Sequence, residues 1–340
     1  MRMWPLLLLL FIAGVAAQDE PSAVPATTAA TASGNDDIVD MGPMVVTGVQ
    51  PGPGLWKVSK DGHVLWILGT LSPLPRRMEW DATRVDQVIA QSQEVLQSPS
   101  VSIRTDNGFF GNLALIPSAL KARRNPDGKR LQQVVAPAQY ARWQVLKARY
   151  IGSDRGIEQW RPVFAALQLY DKAIGKTGMS SRDIVGPRVK KIAKQHGVKA
   201  TNPEVTITIK QPRQALKEFA STPLDDLDCF GKTLDRIEAD LGTMAARANA
   251  WAIGDIQTLR ELPYGNQFTA CSAAFSGAAL ARKHGVADMA QQIEHNWMAA
   301  AEASLARNAS TFATLPIAEL LKPDGYLARL QAKGYEVEAP

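Results

Sequence analysis

The sequence predicts a mixed protein, α/β or α+β, in which both ends of the chain build one β-sheet, helices surround it, and a helical block is inserted in the middle. Residues 55–75, LWKVSKDGHVLWILGTLSPLP, carry two apolar runs around an Asp-Gly pair, as a β-hairpin does. Residues 109–302 show mostly the apolar period of helices. Strand-like runs return at residues 311–315 and 335–337, so the two chain ends are expected to pair in the same sheet.

The pair Asp61 and Gly62 predicts a type I′ turn, because this turn requires a positive φ angle at both central residues. Residues 64–68 are apolar at every position, which is typical of a strand covered by protein on both faces. The loop that follows this strand opens at Gly69. Loops at strand ends usually carry the chemistry of mixed α/β proteins, so we expect a functional site there.

Between the chain ends, further elements are predicted from apolar spacing. Asp81 can cap a helix whose apolar residues, extending to Val95 and Leu96, fall near helical spacing. Residues 98–103 are short and rich in β-branched side chains, which predicts a strand beside the hairpin. The clean alternation of residues 205–209 predicts one more strand inside the otherwise helical block.

Helix boundaries are marked by residues with capping preferences. Gly254 is predicted to end one helix and Asp255 to cap the next. Residues 324–333 predict a short helix that Gly334 ends.

The N-terminal composition predicts export. Residues 1–17 combine an Arg, an apolar core and small residues before Gln18, which is typical of a signal peptide. Residues 18–43 are rich in Ala, Thr, Ser, Asp and Pro and predict a disordered linker. Residues 44–340 are then expected to form a single domain, with its helical middle block at about residues 109–302. No later run is apolar for the roughly 18 residues that a membrane span needs, so we expect a soluble protein, periplasmic or secreted, from a bacterium.

The charge of the chain argues against nucleic acid as a partner. The formal net charge is +5, and removal of a signal peptide with one Arg leaves 5 − 1 = +4. Because the basic residues are spread along the chain without interleaved aromatics, a sequence pI of about 9.1 does not indicate nucleic-acid binding.

Two cysteines, Cys229 and Cys271, make an even count. In an oxidising compartment such a pair predicts one disulfide, and reactive or metal-binding thiols are the alternative.

Taken together, several of these segments resemble the TraB/GumN family, which includes eukaryotic Wnt-directed metalloproteases of the Tiki type. The resemblance rests on the hairpin with its exit at Gly69 and Thr70 and on the LSPLP loop that follows. It also rests on an Ala-Trp-x-x-Gly-Asp element ending at Asp255, and on a C-terminal Thr-Phe strand leading to Asp-Gly-Tyr-Leu and Lys-Gly-Tyr-Glu-Val. It covers about residues 54–337 and is strongest at the two ends.

The resemblance implies a mixed sheet with surrounding helices and, in the proteolytic members, a divalent metal site. The ligands implied are two Gly-x-x-His elements, one after the early strand and one after the late strand, helped by a Glu at the end of the strand that follows the first helix. Such a site needs about three imidazole or carboxylate ligands around one point, with an open position for water.

This chain departs from the pattern at all three positions. The first His position is occupied by Ser72, and the Glu position falls at Gln97. The second Gly-x-x-His element reads Pro-Ile-Ala-Glu, so its His position is Glu319. A hydroxyl and an amide are poor replacements for imidazole and carboxylate, and only Glu319 could still bind a cation. We therefore expect no metal and no cofactor.

Four histidines remain as candidate functional residues. His63 follows the predicted turn and is expected to point to solvent, while His196 and His284 precede Gly at helix ends, where a cation suits the helix terminus. His295 coincides with a position at which the family favours Arg near the cleft. It could line a remnant pocket or be a partly exposed helical residue.

These observations lead to a hypothesis of an exported, non-catalytic protein with a degenerate active-site cleft that binds a peptide, a protein or a glycan. The cleft residues expected from the resemblance are Gly69, Thr70, Ser72, Gln97, His295 and Glu319. The alternative is a metal-dependent hydrolase or protease whose site has been rebuilt around Glu319.

Overall fold

A computed structural model describes residues 52–262, 267–276 and 288–340 of the chain. The predicted signal peptide at residues 1–17, the predicted linker at residues 18–43 and His284 lie outside these ranges. Within them the strands are β1 Leu55–Lys60, β2 His63–Thr70, β3 Leu74–Pro75, β4 Glu94–Leu96, β5 Ser100–Thr105, β6 Met179–Ser180, β7 Lys199–Thr201, β8 Glu204–Ile209, β9 Ser310–Pro316 and β10 Glu336–Glu338.

The helices account for most of the remaining described residues. They are α1 Thr83–Ala90, α2 Gly108–Leu113, α3 Ile116–Ala122, α4 Leu131–Val134, α5 Pro137–Tyr150, α6 Pro162–Lys176, α7 Val185–Gln195, α8 Pro212–Ser221, α9 Leu227–Ile253, α10 Ile256–Glu261, α11 Gln267–Ser276, α12 Met289–Arg307, α13 Ile317–Leu320 and α14 Tyr326–Ala332, with two 3-10 segments at Pro126–Gly128 and Gly156–Gln159. The predicted mixed fold with a helical middle is confirmed.

The main sheet has six strands in the order β10-β1-β2-β9-β4-β7, so its centre comes from both ends of the chain, as predicted. Strands β10, β1 and β2 pair antiparallel, whereas β2, β9, β4 and β7 are all parallel to one another. The carboxyl ends of these four parallel strands therefore meet at one edge of the sheet.

The hairpin between β1 and β2 has the turn that the sequence predicts. Asp61 and Gly62 have φ angles of 51° and 83°, which a type I′ turn requires. Lys60 and His63 face each other at the start of the ladder. The turn thereby sets the register of the two strands.

Strand β9 is buried along most of its length. Its five central residues, Thr311 to Leu315, are all buried, so protein covers both of its faces. The large side chains that fill this core include Trp56 and Trp251. A parallel strand needs cover on both faces, which explains its continuous apolar and small-residue run.

The helix predicted after the hairpin is shorter than its apolar spacing suggested. α1 ends at Ala90, and Val95 and Leu96 belong to β4 instead. A buried run of three residues is too short to reveal the period of a strand, and its pairing with β9 and β7 is what makes it one. Asp81 accepts a hydrogen bond from Thr83 N–H at 2.8 Å and therefore supports the start of α1.

Two other predicted boundaries are confirmed. Gly254 has a φ angle of 73° and ends α9, and the Asp255 carboxylate accepts a hydrogen bond from Thr258 N–H at 3.0 Å at the start of α10. Gly334, with a φ angle of 81°, follows the end of α14.

Cys229 of α9 and Cys271 of α11 form the predicted disulfide across a sequence separation of 42 residues. Both cysteines are fully buried, beside Val163 and Phe164 of α6. The disulfide therefore joins two helices of the middle block, and a third helix packs against it.

Among the helices of the described ranges, none is both long enough and apolar enough to cross a membrane.

Candidate functional site

The three substituted positions follow three neighbouring parallel strands. Ser72 follows β2, Glu319 follows β9 in the short helix α13, and Gln97 follows β4 directly. Because β9 lies between β2 and β4, these residues leave the sheet at adjacent carboxyl ends. The topology thus places the three positions at the same edge of the sheet.

The exit of β2 is held by hydrogen bonds from distant parts of the chain. Trp251 of α9 donates its indole N–H to the Gly69 carbonyl at 2.6 Å, and Thr70 donates its hydroxyl to the Leu315 carbonyl at 3.3 Å. A Cβ at Gly69 would lie 3.0 Å from Ile317 and 3.1 Å from Trp56. Glycine is therefore the residue that lets α13 and the Trp56 ring of β1 pack against this strand end.

Ser72 is exposed in the loop that follows β2. Its hydroxyl donates to the Ser181 carbonyl at 3.3 Å, beyond the short pairing of β3 with β6. The hydroxyl is neutral and is directed at a main-chain oxygen. Ser72 therefore serves as a loop contact in this structure.

Gln97 is anchored through its main chain. Its N–H donates to the Thr201 carbonyl at 2.9 Å, and its carbonyl accepts the Trp297 indole N–H at 3.2 Å. The next residue, Ser98, donates its N–H to the Thr314 hydroxyl at 2.8 Å. These bonds fix the exit of β4 against both of its neighbours, β7 and β9.

Glu319 is the charged residue of the three, and a lysine neutralises it. Lys322 Nζ donates to both carboxylate oxygens at 2.9 Å, and both side chains are buried. Burial raises the pKa of Glu319, and the hydrogen bond from Lys322 opposes that rise. The carboxylate therefore already has a cation bound to it, supplied by the same short segment.

Two aromatic residues connect Glu319 with the exit of β4. The Tyr326 and Trp297 rings meet edge to face with centroids 5.1 Å apart. Burial, together with the negative charges of Glu319 and Glu294, raises the pKa of the Tyr326 phenol. Tyr326 therefore remains protonated and neutral next to these carboxylates at neutral pH.

The three histidines that the structure describes lie apart from this edge or at the protein surface. His295 is exposed on α12. His196 caps the end of α7 and pairs with Asp86 at 3.1 Å. His63 was expected to point to solvent, but its Nδ1 lies 2.8 Å from the Asn308 carbonyl, because parallel pairing brings the start of β2 beside the turn before β9.

In the parts of the chain that the structure describes, no group of three or more His, Cys, Asp or Glu side chains could hold a metal ion. Nor does a hydrogen bond join the side chains of Ser72, Gln97 and Glu319 there. A divalent metal of the kind implied by the resemblance needs about three imidazole or carboxylate ligands. The described residues at these strand ends do not fit such a metal.

Sequence reasoning did not predict a place at this site for four residues, Trp251, Trp297, Lys322 and Tyr326. Trp251 and Tyr326 lie in the elements that carry the resemblance, but no contact was assigned to them there. The spacing of Glu319 and Lys322 by three residues was a local signal for an ion pair. The two indole hydrogen bonds, in contrast, join residues that are 182 and 200 positions apart in the sequence.

Comparison with protein families matches residues 54–339 to the family described as TraB/PrgY/gumN. Comparison with curated proteins and with solved structures found no match.

Proposed function

We propose, from the premise that this chain belongs to the TraB/PrgY/gumN family, that it is an exported, non-catalytic member of it. Its cleft at the carboxyl ends of β2, β9 and β4 would bind a peptide, a protein or a glycan. The scaffold of that edge supports the proposal, because the strand exits are rigidly held while the side chains that would perform metal chemistry are replaced.

One observation carries the proposal: Lys322 Nζ bonds both oxygens of Glu319 at 2.9 Å. A carboxylate whose two oxygens face an ammonium group is not available to a metal ion unless that buried pair is broken. Breaking a buried pair leaves an uncompensated charge and costs about 3–5 kcal/mol. The hydroxyl of Ser72 and the amide of Gln97 offer no charge to offset this cost.

Two features support the export part of the proposal. Residues 1–17 have the composition of a signal peptide. The buried Cys229–Cys271 disulfide agrees with an oxidising compartment, because such bonds are rare where thiols are kept reduced.

The burial of Glu319 also favours a second candidate function, that of a hydrolase. A buried carboxyl with a raised pKa is suited to proton transfer, so a hydrolase rebuilt around Glu319 is the second candidate. In such an enzyme, Glu319→Ala would abolish the activity. The exposed carboxylate of Glu336 provides a matched control, because Glu336→Ala removes the same charge from the opposite region of the sheet.

The test is metal content and hydrolysis on the purified protein. We expect no stoichiometric zinc, manganese or cobalt, and no chelator-sensitive cleavage of casein or of fluorogenic peptides. Stoichiometric metal would overturn the proposal. So would cleavage that is lost in Glu319→Ala and kept in Glu336→Ala.

A further inference from the structure

We propose that the open edge of β5, the edge opposite β8, binds an extended polypeptide segment as an added strand. This inference rests on the proposed function, since it names the class of ligand and the way in which the ligand is held. It concerns the main chain of Ser100–Thr105 and the side chains that flank it.

The edge is open because the ladder with β9 stops before β5 begins. The last pair between β4 and β9 joins Leu96 and Ala313, and Ser98 N–H then bonds the Thr314 side chain. β5 continues the chain beyond that point and pairs with β8. Within residues 52–262, 267–276 and 288–340, no other strand pairs with β5.

The position of this edge connects it with the candidate cleft. β4 lies between β9 and β7, and the chain continues from β4 into β5 and from β7 into β8. Since β8 occupies the β7 side of β5, the open edge of β5 lies on the β9 side. Ser72 and Glu319 leave the sheet on that same side.

An open parallel strand turns about half of its N–H and C=O groups away from its partner, at alternate residues. Proteins normally protect such edges by keeping them short or by adding charge or proline. The edges of the main sheet follow this rule, because β10 and β7 have three residues each and β10 carries two glutamates. β5 is longer, with six residues and no proline, and its one charged residue, Arg104, stands near its carboxyl end.

The two faces of the sheet formed by β5 and β8 indicate which side chains the bound segment would carry. Val101 packs with Val205 and Ile207 against Ile293 of α12, which makes one face apolar. The other face is polar: Ser102 donates to Glu204 at 2.5 Å, and the Arg104 side chain is 71% exposed and 3.9 Å from Glu204. An extended segment with alternating apolar and polar residues, and an acidic residue on its polar side, would complement both faces.

A polypeptide fits this edge better than a glycan does. The outward N–H and C=O groups of a strand repeat along its length, and another strand presents the same repeat. The hydroxyl groups of a sugar chain do not follow that repeat. The geometry of the edge thus selects a main chain, and the polar face adds a preference for an acidic residue.

The experiment uses the acetylated and amidated hexapeptide Glu-Val-Thr-Ile-Thr-Ile, which has the alternation of β8. Amide hydrogen exchange of the purified protein is measured with increasing peptide. We expect saturable slowing of exchange confined to residues 100–105. Two further peptides carry N-methyl groups on alternate amides, one peptide at the odd positions and the other at the even positions. Strand pairing uses only the N–H groups that point toward β5, so only the peptide methylated on the opposite edge should still bind.

A substitution of Arg104 tests the preference for an acidic residue in the peptide. Arg104→Glu should weaken binding of the acidic peptide roughly two- to fivefold, and a peptide with Lys in place of Glu should recover it, as for cross-strand charge pairs. Arg260→Glu makes the same charge change on exposed α10 and should leave binding unchanged. Thermal unfolding of both variants establishes that they are folded.

Three results would overturn the inference: no slowing at residues 100–105, equal binding of both N-methylated peptides, or slowing there by a neutral dextran fragment instead of the peptide. A concentration-dependent dimer that protects the same amides without peptide would also overturn it, by assigning the edge to a second copy of the chain. Stoichiometric metal with hydrolysis would instead overturn the proposed function and leave a positive edge result standing.

Discussion

Lys322 Nζ lies 2.9 Å from each carboxylate oxygen of Glu319, and each residue is only 7% exposed. The two residues sit immediately after β9, between its neighbours β2 and β4 in the sheet. The ammonium group thereby acts as an internal counter-ion for the carboxylate at this strand end. The same pair also makes the stability of this edge dependent on pH.

Replacement of Lys322 by Met should destabilise the protein in a pH-dependent manner. Burial already raises the pKa of Glu319 above its ordinary value of 4.5, and loss of the ammonium removes the interaction that opposes this rise. At a pH between the pKa of Glu319 in the unfolded state and its higher pKa in the native state, the native state holds a proton that the unfolded state has released. The free energy of unfolding therefore falls as pH rises between these two pKa values. We expect a loss of about 3–5 kcal/mol at about pH 8 and a smaller loss at about pH 5, measured by urea unfolding.

The double variant Glu319→Gln with Lys322→Met is the matched control. It removes both charges, so the additional pH dependence should disappear and the stability should lie within about 1–2 kcal/mol of the original protein. A pH dependence that persists in the double variant would show that another group causes it.

Gly69→Ala should destabilise the protein by about 1–3 kcal/mol, because the added Cβ would crowd Ile317 at 3.0 Å and Trp56 at 3.1 Å. Ile317→Ala removes the atoms nearest to that Cβ. In a double-mutant cycle measured by urea unfolding, Ile317→Ala should therefore lower the free energy of unfolding by less in the Gly69→Ala variant than in the original protein. Strict additivity of the two costs would contradict the predicted contact.

Trp251→Phe should cost more stability than Trp297→Phe. Each substitution keeps an aromatic ring and removes one indole donor, from the Gly69 carbonyl in the first case and from the Gln97 carbonyl in the second. The Gly69 carbonyl is buried with Trp251, so its lost bond is not replaced and costs about 1–3 kcal/mol. Gln97 is half-buried and can be hydrated. Equal losses in thermal or urea unfolding would contradict the difference.

Reduction of the Cys229–Cys271 disulfide should lower the free energy of unfolding by about 4 kcal/mol, from the entropy of closing a loop of this length. Mass analysis without reductant should find no free thiol, and unfolding with and without reductant gives the difference. The variant Cys229→Ala with Cys271→Ala should resemble the reduced protein. Two free thiols in the purified protein would refute the prediction.

Much of the fold could be predicted from short stretches of sequence. The turn at Asp61 and Gly62, the buried run of β9 and the helix end at Gly254 each depend on the backbone preferences and apolar spacing of a few consecutive residues. Such preferences act locally, so the sequence reveals them without knowledge of the remaining chain. The hypothesis that Ser72, Gln97 and Glu319 are substituted ligand positions came instead from the resemblance to a family.

Only the tertiary structure decided which partners the residues at these strand ends contact. β4 is a strand because β9 and β7 pair with it, the Gly69 carbonyl finds its donor 182 residues away in Trp251, and the exit of β4 finds one in Trp297. These partners meet because separate elements pack on one sheet, and no local period encodes that packing. The sequence by itself predicted that a hairpin and a late strand share a sheet, and its resemblance to a family led to the hypothesis that three ligand positions are substituted. The packed chain determined that Glu319 is held by Lys322 and that, among the described residues, β5 pairs on one side only, with β8.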